Sequence, residues 1–224
     1  MRYRGGTRGV QPLSRVLHNI GSDVENFSCP RCGAHDRERH LLLYFRATHL
    51  LDEIKDKSVL HFAPERRLAA IVQAAAPATY VKADLFPASP DVKRVDIAAM
   101  PFNDQTFDFV IANHVLEHVA DDAKVLSEIH RVLRIGGYAV LQTPYSPRLT
   151  RTWQDAGIDT DDARLVAFGQ EDHVRIFGRD IFERFVAAGF QSLVGEHDDL
   201  LSDTDPRRLG VNAREPFFLF RRIE

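Results

Sequence analysis

The chain has 224 residues, 44% of them hydrophobic and 27% charged, with a formal net charge of −3. That is enough for one large α/β domain with a small appendage. It excludes a membrane span, since no apolar run approaches the roughly 20 residues one needs, and it gives no global drive toward nucleic acid. The only two cysteines share one C-x-x-C, so a disulfide framework is excluded. With no secretory core near Met1, a cytoplasmic protein is the expectation.

Residues 1–21 carry Arg2, Arg4, Arg8 and Arg15, no acidic residue, and glycines at 5, 6, 9 and 21. They read as a basic, flexible arm, a solvated tail over 1–9. Next comes CPRCG, Cys29 to Gly33, the shape of a zinc knuckle whose two thiolates point at one metal. Cys29 and Cys32 supply two of four ligands. His35, His40 and the upstream His18 are candidates for the rest, at spacings that match no familiar zinc site; a simple turn or a redox pair are the alternatives. Asp36 is placed to cap an apolar helix through His40 and Phe45 to about Leu51. Residues 1–55 form an N-terminal extension packed on a main domain over 56–224.

From Ser58 strands and helices alternate. Val59–Phe62 is a strand, Ala63-Pro64-Glu65 a turn, Arg66–Ala76 a helix, Thr79–Ala83 a strand ending at Asp84, and Val92–Ile97 a shorter strand containing Asp96. Phe107–Ala112 is an apolar strand of the kind covered on both faces. Asn113 and His114 end it, and His114, Glu117 and His118 follow at i, i+3 and i+4, one face of a helix. Asp121 caps a helix with Val125, Leu126, Ile129, Val132 and Leu133 at helical spacing, closed by Gly136-Gly137, and Tyr138–Gln142 is a strand. Residues 144–178 break the rhythm as an insert of the kind that forms lids, ending in an acidic and basic cluster around His173. A helix over Gly178–Ala188 and strands over Phe190–Glu196 and Pro216–Phe220 close the order. The fold class is α/β: a Rossmann-like, mostly parallel seven-stranded sheet with helices on both faces.

This order, with Asp84 and Asp96 closing their strands, R-V-L-R-I-G-G-Y at 131–138, Met100-Pro101-Phe102 and the H-V-L-E-H segment at 114–118, resembles class I S-adenosylmethionine-dependent methyltransferases of the small-molecule type. The resemblance covers roughly 58–222. C-P-x-C-G, H-F-A-P-E and F-G-Q-E-D-H-V-R are similar to segments of a bacterial subgroup of these enzymes. One departure stands out. The family usually has an acid and a G-x-G loop after the first strand, and here the positions read His61, Phe62, Ala63, Pro64, Glu65. S-adenosylmethionine has no phosphate to cradle, so the loop can deviate.

The resemblance implies roles for matching positions. Asp84, followed by Leu85, would accept from both ribose hydroxyls. Asp96 and the Ile97 backbone would hold the adenine amino group. Asn113 and His114 would lie beneath the methionine portion, and Glu65 would face its amino group, unless it only caps the next helix. His114, His118 and His173 are candidate bases for the acceptor proton. A second arrangement, implied by likeness to an E-x-x-E-H segment in some O-methyltransferases, has His114, Glu117, His118 and His173 gather a divalent metal; here His114 replaces the first Glu. The expected acceptor is a small molecule, such as a sugar or a natural-product hydroxyl. RNA methylation, with the basic arm as appendage, and a cofactor-free binding protein are the rivals. The partner expectation is a small acceptor, with nucleic acid and membrane disfavoured.

Overall fold

A computed structural model describes residues 9–224. Arg2, Arg4 and Arg8 of the basic arm lie outside them. In chain order the elements are α1 (Pro12–Val16), a 3₁₀ turn (Val24–Asn26), α2 (Asp36–Ala47), α3 (Leu50–Glu53), β1 (Ser58–Phe62), α4 (Arg66–Ala74), β2 (Thr79–Asp84), β3 (Lys93–Arg94), β4 (Phe107–Ala112), α5 (Asp122–Val132), β5 (Leu133–Val140), α6 (Asp161–Phe168), α7 (Ile181–Ala187), β6 (Phe190–Ser192), α8 (His197–Leu200), α9 (Pro206–Leu209) and β7 (Leu219–Arg222).

The strands form one seven-stranded sheet in the order β3-β2-β1-β4-β5-β7-β6. β7 runs antiparallel to both neighbours, and the other pairings are parallel. Alternation along β4 shows why the apolar run is needed. Phe107, Val110 and Ala112 join a core with Val125, Leu126 and Ile129 of α5 and Phe185 of α7. Phe109 and Ile111 join a second core with Leu41, Tyr44 and Phe45 of α2 and Leu68 and Val72 of α4. A strand buried on both faces must be apolar at every step, not every second one. The N-terminal helix α2 is thus part of the layer that covers one face.

Several expectations need correction. No helix spans 114–118: His114 takes a left-handed φ of +55° and the chain makes one turn, with the His118 N–H bonded to the Val115 carbonyl, before Asp121 caps α5. Gly136-Gly137 is no helix cap. Leu133 is already extended, and Gly136, at φ +81°, lies within β5, where the register slips against β4. At Gly137 a Cβ would sit 2.9 Å from the Asp108 carbonyl, so the neighbouring strand excludes a side chain. The expected strand 92–97 shrinks to Lys93–Arg94. The helix expected to reach Leu51 breaks at His49, whose φ is +57°, after the Thr48 hydroxyl has bonded back to the Tyr44 carbonyl.

Residues 10–21 are no loose arm. Ile20 and Tyr145 exchange backbone hydrogen bonds at 2.7 and 2.9 Å, and Ser146 and Arg148 donate to the carbonyls of Leu17 and Val16. The segment is strapped over the insert, where Ala167, Phe168 and Ile176 form a small core with Leu17, Leu149 and Trp153. Among the described residues no helix is long and apolar enough to cross a membrane.

Candidate active site

The tips of β1, β2 and β4 meet at the crevice where an open α/β sheet places its ligand. β1 leaves through the buried His61 and Phe62 into Ala63, which holds a left-handed φ of +44° with its N–H on the Ala83 carbonyl. That conformation is ordinarily glycine's. The loop therefore makes a tight turn although its glycines are replaced. Glu65 follows at the helix start, but its side chain caps nothing. Glu38 of α2 does that instead, accepting from the N–H groups of Arg67 and Leu68 at 3.0 and 3.4 Å and of His35 at 2.7 Å. Glu65 turns inward: Asn113 Nδ2 donates to it at 2.5 Å, His61 Nε2 lies at 3.6 Å and Arg37 Nε at 3.5 Å. Burial pushes the Glu65 carboxyl up, yet His61 and Arg37 outweigh it and hold it below its ordinary range.

Asp84 ends β2, and its Oδ1 accepts the Phe86 N–H at 2.8 Å. Asp96 accepts from the Ala98 N–H at 2.8 Å on an exposed turn, while Ile97 is buried in the core. Leu85 is exposed beside Asp84.

At the β4 tip, Glu117 is buried and meets histidines on two sides. On the inner side His114 bridges two carboxylates, Nδ1 at 3.3 Å from Glu117 and Nε2 at 3.4 Å from Glu215. Glu215 also receives His40 Nδ1 at 3.3 Å, and its backbone carbonyl accepts from the Tyr44 hydroxyl at 2.6 Å. His40 Nε2 lies 2.8 Å from His197 Nδ1. Burial lowers the His114 pKa, but its bonds to Glu117 and Glu215 win and raise it to about 9. The same pairing overrides burial to hold Glu117 at about 2 and Glu215 far below its ordinary value. Flanked by a carboxylate at each ring nitrogen, His114 favours the imidazolium form, which has no lone pair to take a proton.

On the outer side lie His118 and His173, each with Nε2 at 3.9 Å from Glu117 Oε1. His173 is buried, with Nδ1 at 3.3 Å from the Phe168 carbonyl; His118 is partly open, with Nδ1 at 3.3 Å from the Asp172 carbonyl. Carbonyls only accept, so both Nδ1 atoms carry the proton and both Nε2 atoms keep a lone pair. Burial pushes the His173 pKa down. Above this face a cavity of about 130 Å³ is lined by Gln11, Ser14, Asn19, Ser22, His114 and His173, among others.

The structure thus brings all four of His114, Glu117, His118 and His173 together, with His114 nearest to Glu117 and its other nitrogen facing Glu215. Cys29 and Cys32 lie elsewhere. Gly33, at φ +74°, closes their tight turn, and its N–H bonds the Cys29 carbonyl. His40 is committed to Glu215, and His35 stacks on Phe27. Among the described residues Glu117, His118 and His173 are the one group of three or more that could hold a metal, and Cys29 and Cys32 are not part of it. The turn is secured by Arg39 instead, whose guanidinium donates to the carbonyls of Asn26, Phe27, Ala34 and Leu209. Arg37, Glu215 and Asn19 carried no signal in the sequence beyond, for Glu215, an acid set against the apolar run 216–220.

The sheet order and crevice have counterparts among known proteins. Residues 50–141 match a family model described as a methyltransferase domain. An S-adenosylmethionine-dependent methyltransferase from Mesorhizobium loti superposes with a TM-score of 0.54 at 18% identity, covering 80% of this chain and 96% of that one. Residues 50–141 thus carry a methyltransferase domain, and the fold is that of S-adenosylmethionine-dependent methyltransferases. Among curated relatives, an uncharacterised 37.1 kDa protein in transposon TN4556 of Streptomyces fradiae is 34% identical over 102 residues, 45% of this chain and 29% of that protein. A probable S-adenosylmethionine-dependent methyltransferase from Mycolicibacterium smegmatis is 39% identical over 54 residues, 24% of this chain and 21% of that protein. The chain thus matches less than a third of the length of either relative. The crevice itself holds unfilled polar groups: His61 Nε2, Glu65 Oε2 and Asn113 Oδ1 are buried there without hydrogen-bond partners.

Proposed function

We propose that the protein transfers the methyl group of S-adenosylmethionine to a hydroxyl oxygen of a small, polar acceptor. The observation that carries this reading is the cavity over His114 and His173, whose lining of Gln11, Ser14, Asn19 and Ser22 offers neutral hydrogen-bonding groups and which is small beside most ligand sites. Asn19 Oδ1 is buried there without a partner. Such a lining suits a sugar or polyol better than an apolar ring or a nucleic-acid strand.

Asp84 would take the ribose hydroxyls, Asp96 and the Ile97 backbone the adenine, and the 61–65 loop with Asn113 the methionine end. An acceptor oxygen then attacks the methyl carbon in line with sulfur. The O–CH₃ bond forms, the C–S bond breaks with its electron pair returning to sulfur, and the hydroxyl proton passes to the lone-pair face of His118 and His173. Calorimetric titration with S-adenosylhomocysteine tests the cofactor half: micromolar binding, weakened at least tenfold in Asp84→Ala, is expected. Absence of binding by the intact protein overturns the reading.

The outer face supports a second reading of the proton step. Two Nε2 atoms and a buried carboxylate converge, their ligand atoms within 4.8 Å of one another. Two histidines and a carboxylate, each histidine held by a carbonyl at its other nitrogen, suit a divalent transition metal or zinc with positions left open. A metal held by Glu117, His118 and His173 would supply Lewis acidity to the acceptor hydroxyl. Micromolar Mn²⁺ or Zn²⁺ binding that survives Cys29→Ser but is lost in Glu117→Gln is expected; binding indifferent to Glu117 rejects this version.

A further inference from the structure

Cys29 and Cys32 take no part in the chemistry above, yet their turn is built in detail. Ser28 and His35 pair as an antiparallel bridge. The Cys29 N–H bonds the Ala34 carbonyl at 2.9 Å, and the Gly33 N–H returns to the Cys29 carbonyl at 2.9 Å. Gly33, at φ +74°, lets the chain reverse directly after Cys32. The result is a hairpin knuckle. No helix begins at either cysteine, since α2 starts only at Asp36, so the helix N-terminus that activates many redox thiols is lacking.

The sulfurs are prepared as ligands. Burial pushes the Cys29 thiol up, but the N–H groups of Cys32 and Arg31, the neighbouring Cys32 side chain and the charge of Arg39 outweigh it and hold the thiol below its ordinary value. Main-chain N–H groups aimed at a sulfur fix where it points and take up charge from a coordinated thiolate. The turn also keeps its shape without a metal. Arg39 donates to the Ala34 carbonyl at 2.6 Å, and Arg67 to the Cys32 carbonyl at 2.9 and 3.2 Å. Cys32 is exposed, so a ligand reaches the pair from solvent.

Paired thiolates suit zinc, which takes four ligands in a tetrahedron. One chain does not supply them. It has only two cysteines, and its first eight residues contain no Cys, His, Asp or Glu. Among the described residues no group of three metal-ligating side chains includes either thiol. Charge favours two further thiolates over water in the remaining positions. A zinc with two thiolates is neutral, whereas one with four carries two negative charges. Arg31 lies exposed between the cysteines, and Arg39 and Arg67 are bonded to the carbonyls of the turn, a set of cations that suits a dianion.

We infer that Cys29 and Cys32 form half of a tetrathiolate zinc site that a second copy of this chain completes. A twofold axis through the metal presents the same knuckle from each copy, so one surface serves both sides. Each thiol that coordinates gives up its proton to solvent. The inference is independent of the methyl-transfer reading.

The test uses the reduced full chain and Co²⁺, whose thiolate charge-transfer band reports sulfur ligands and is silent to histidine and carboxylate. The band is expected to saturate at one ion per two chains while light scattering shows the mass doubling, and Zn²⁺ is expected to displace the Co²⁺ with the doubled mass kept. Both signals should vanish in Cys32→Ser, an exposed substitution, and persist in His118→Asn, which alters the outer face of Glu117. Saturation at one ion per chain with unchanged mass overturns the inference, as does a doubled mass that survives Cys32→Ser, a band lost in His118→Asn, or no band in the unaltered protein.

Discussion

Histidines approach one oxygen of Glu117, Oε1, from two sides that differ in their surroundings. The inner face is closed and charged: His114 sits between Glu117 and Glu215, and His40, Tyr44 and His197 back it from α2 and α8. The outer side is open to solvent in part: His118 and His173 stand with Nε2 3.9 Å from Glu117, and Asp172 lies behind His118. The same residue type meets the same carboxylate on both faces, yet one histidine is driven up to about 9 and another down. What differs is the number of carboxylates each ring touches. Two partners for His114 overcome its burial, whereas His173 has only a distant one and burial prevails.

The sharpest way to break this contrast is to remove the second of those partners. Glu215→Gln keeps the shape and leaves a buried imidazolium with one carboxylate in place of two. Losing one partner of a buried pair costs about 3–5 kcal/mol, and urea unfolding at pH 6 should show it. A loss under about 1 kcal/mol would mean that His114 is not charged in the folded protein.

The same contrast predicts a pH profile for metal-free protein. The folded pKa of His114, about 9, lies above the ordinary 6.5. Its stabilisation is fully present below pH 6.5 and is lost as pH rises through 9, by about 3 kcal/mol at 1.36 per unit. Glu117 is depressed to about 2, so its share is present above the ordinary 4.5 and lost as pH falls through 2. Both describe one ion pair and are not to be added. Asp36, raised to about 6 by burial, contributes a decline that is over before the alkaline one is far advanced. Denaturation across pH 6–10 should show the alkaline fall in the unaltered protein and a much smaller one in Glu215→Gln. An equal fall in both would assign it to another group.

How much of this was legible in the sequence follows from the range of each interaction. The strand alternation, Asp84 and the Asp121 cap depend on neighbours within a turn or a strand, and these stood where the pattern put them. The cluster of Glu117, His118 and His173 was half legible, since two members are adjacent in sequence, but the helix invoked to align them does not exist; a left-handed turn at His114 and the insert's return past Phe168 do that work. Glu215 and Arg37 were invisible. They lie 98 and 80 positions from Glu117 (215 − 117 and 117 − 37), and nothing local marks an arginine in a basic, polar helix start as facing inward. Gly136-Gly137 misled for a related reason: a glycine pair after a helix commonly stops it, but here the need for left-handed backbone came from the slip between β4 and β5.

A smaller perturbation probes the backing of the inner face. The Tyr44 hydroxyl is fully buried and donates to the Glu215 carbonyl at 2.6 Å. Tyr44→Phe removes one donor and strands one acceptor, at a cost of about 1–2 kcal/mol. The aromatic stack with Phe217, at a centroid distance of 4.9 Å, would persist. Thermal unfolding should shift down while S-adenosylhomocysteine affinity stays put; a loss of affinity larger than the loss of stability would instead place Tyr44 in the binding site.

The smallest stability effect belongs to the outer face, and there it separates packing from chemistry. His118 has a side chain 31% exposed, and its contact with Asp172 is at the surface. His118→Asn should therefore change folding stability by less than about 0.5 kcal/mol, the usual range for an exposed substitution. Its Nε2, by contrast, is one of the two that converge with the Glu117 oxygen in the metal-capable group. If a metal binds there, the same substitution should weaken Mn²⁺ affinity at least tenfold, so that a residue nearly silent in unfolding is prominent in titration. Glu215→Gln should show the reverse emphasis, a large loss of stability with a weaker effect on the metal. Parallel losses in both measurements for both variants would mean that the two faces of Glu117 are one cooperative unit, and that the division drawn between them is wrong.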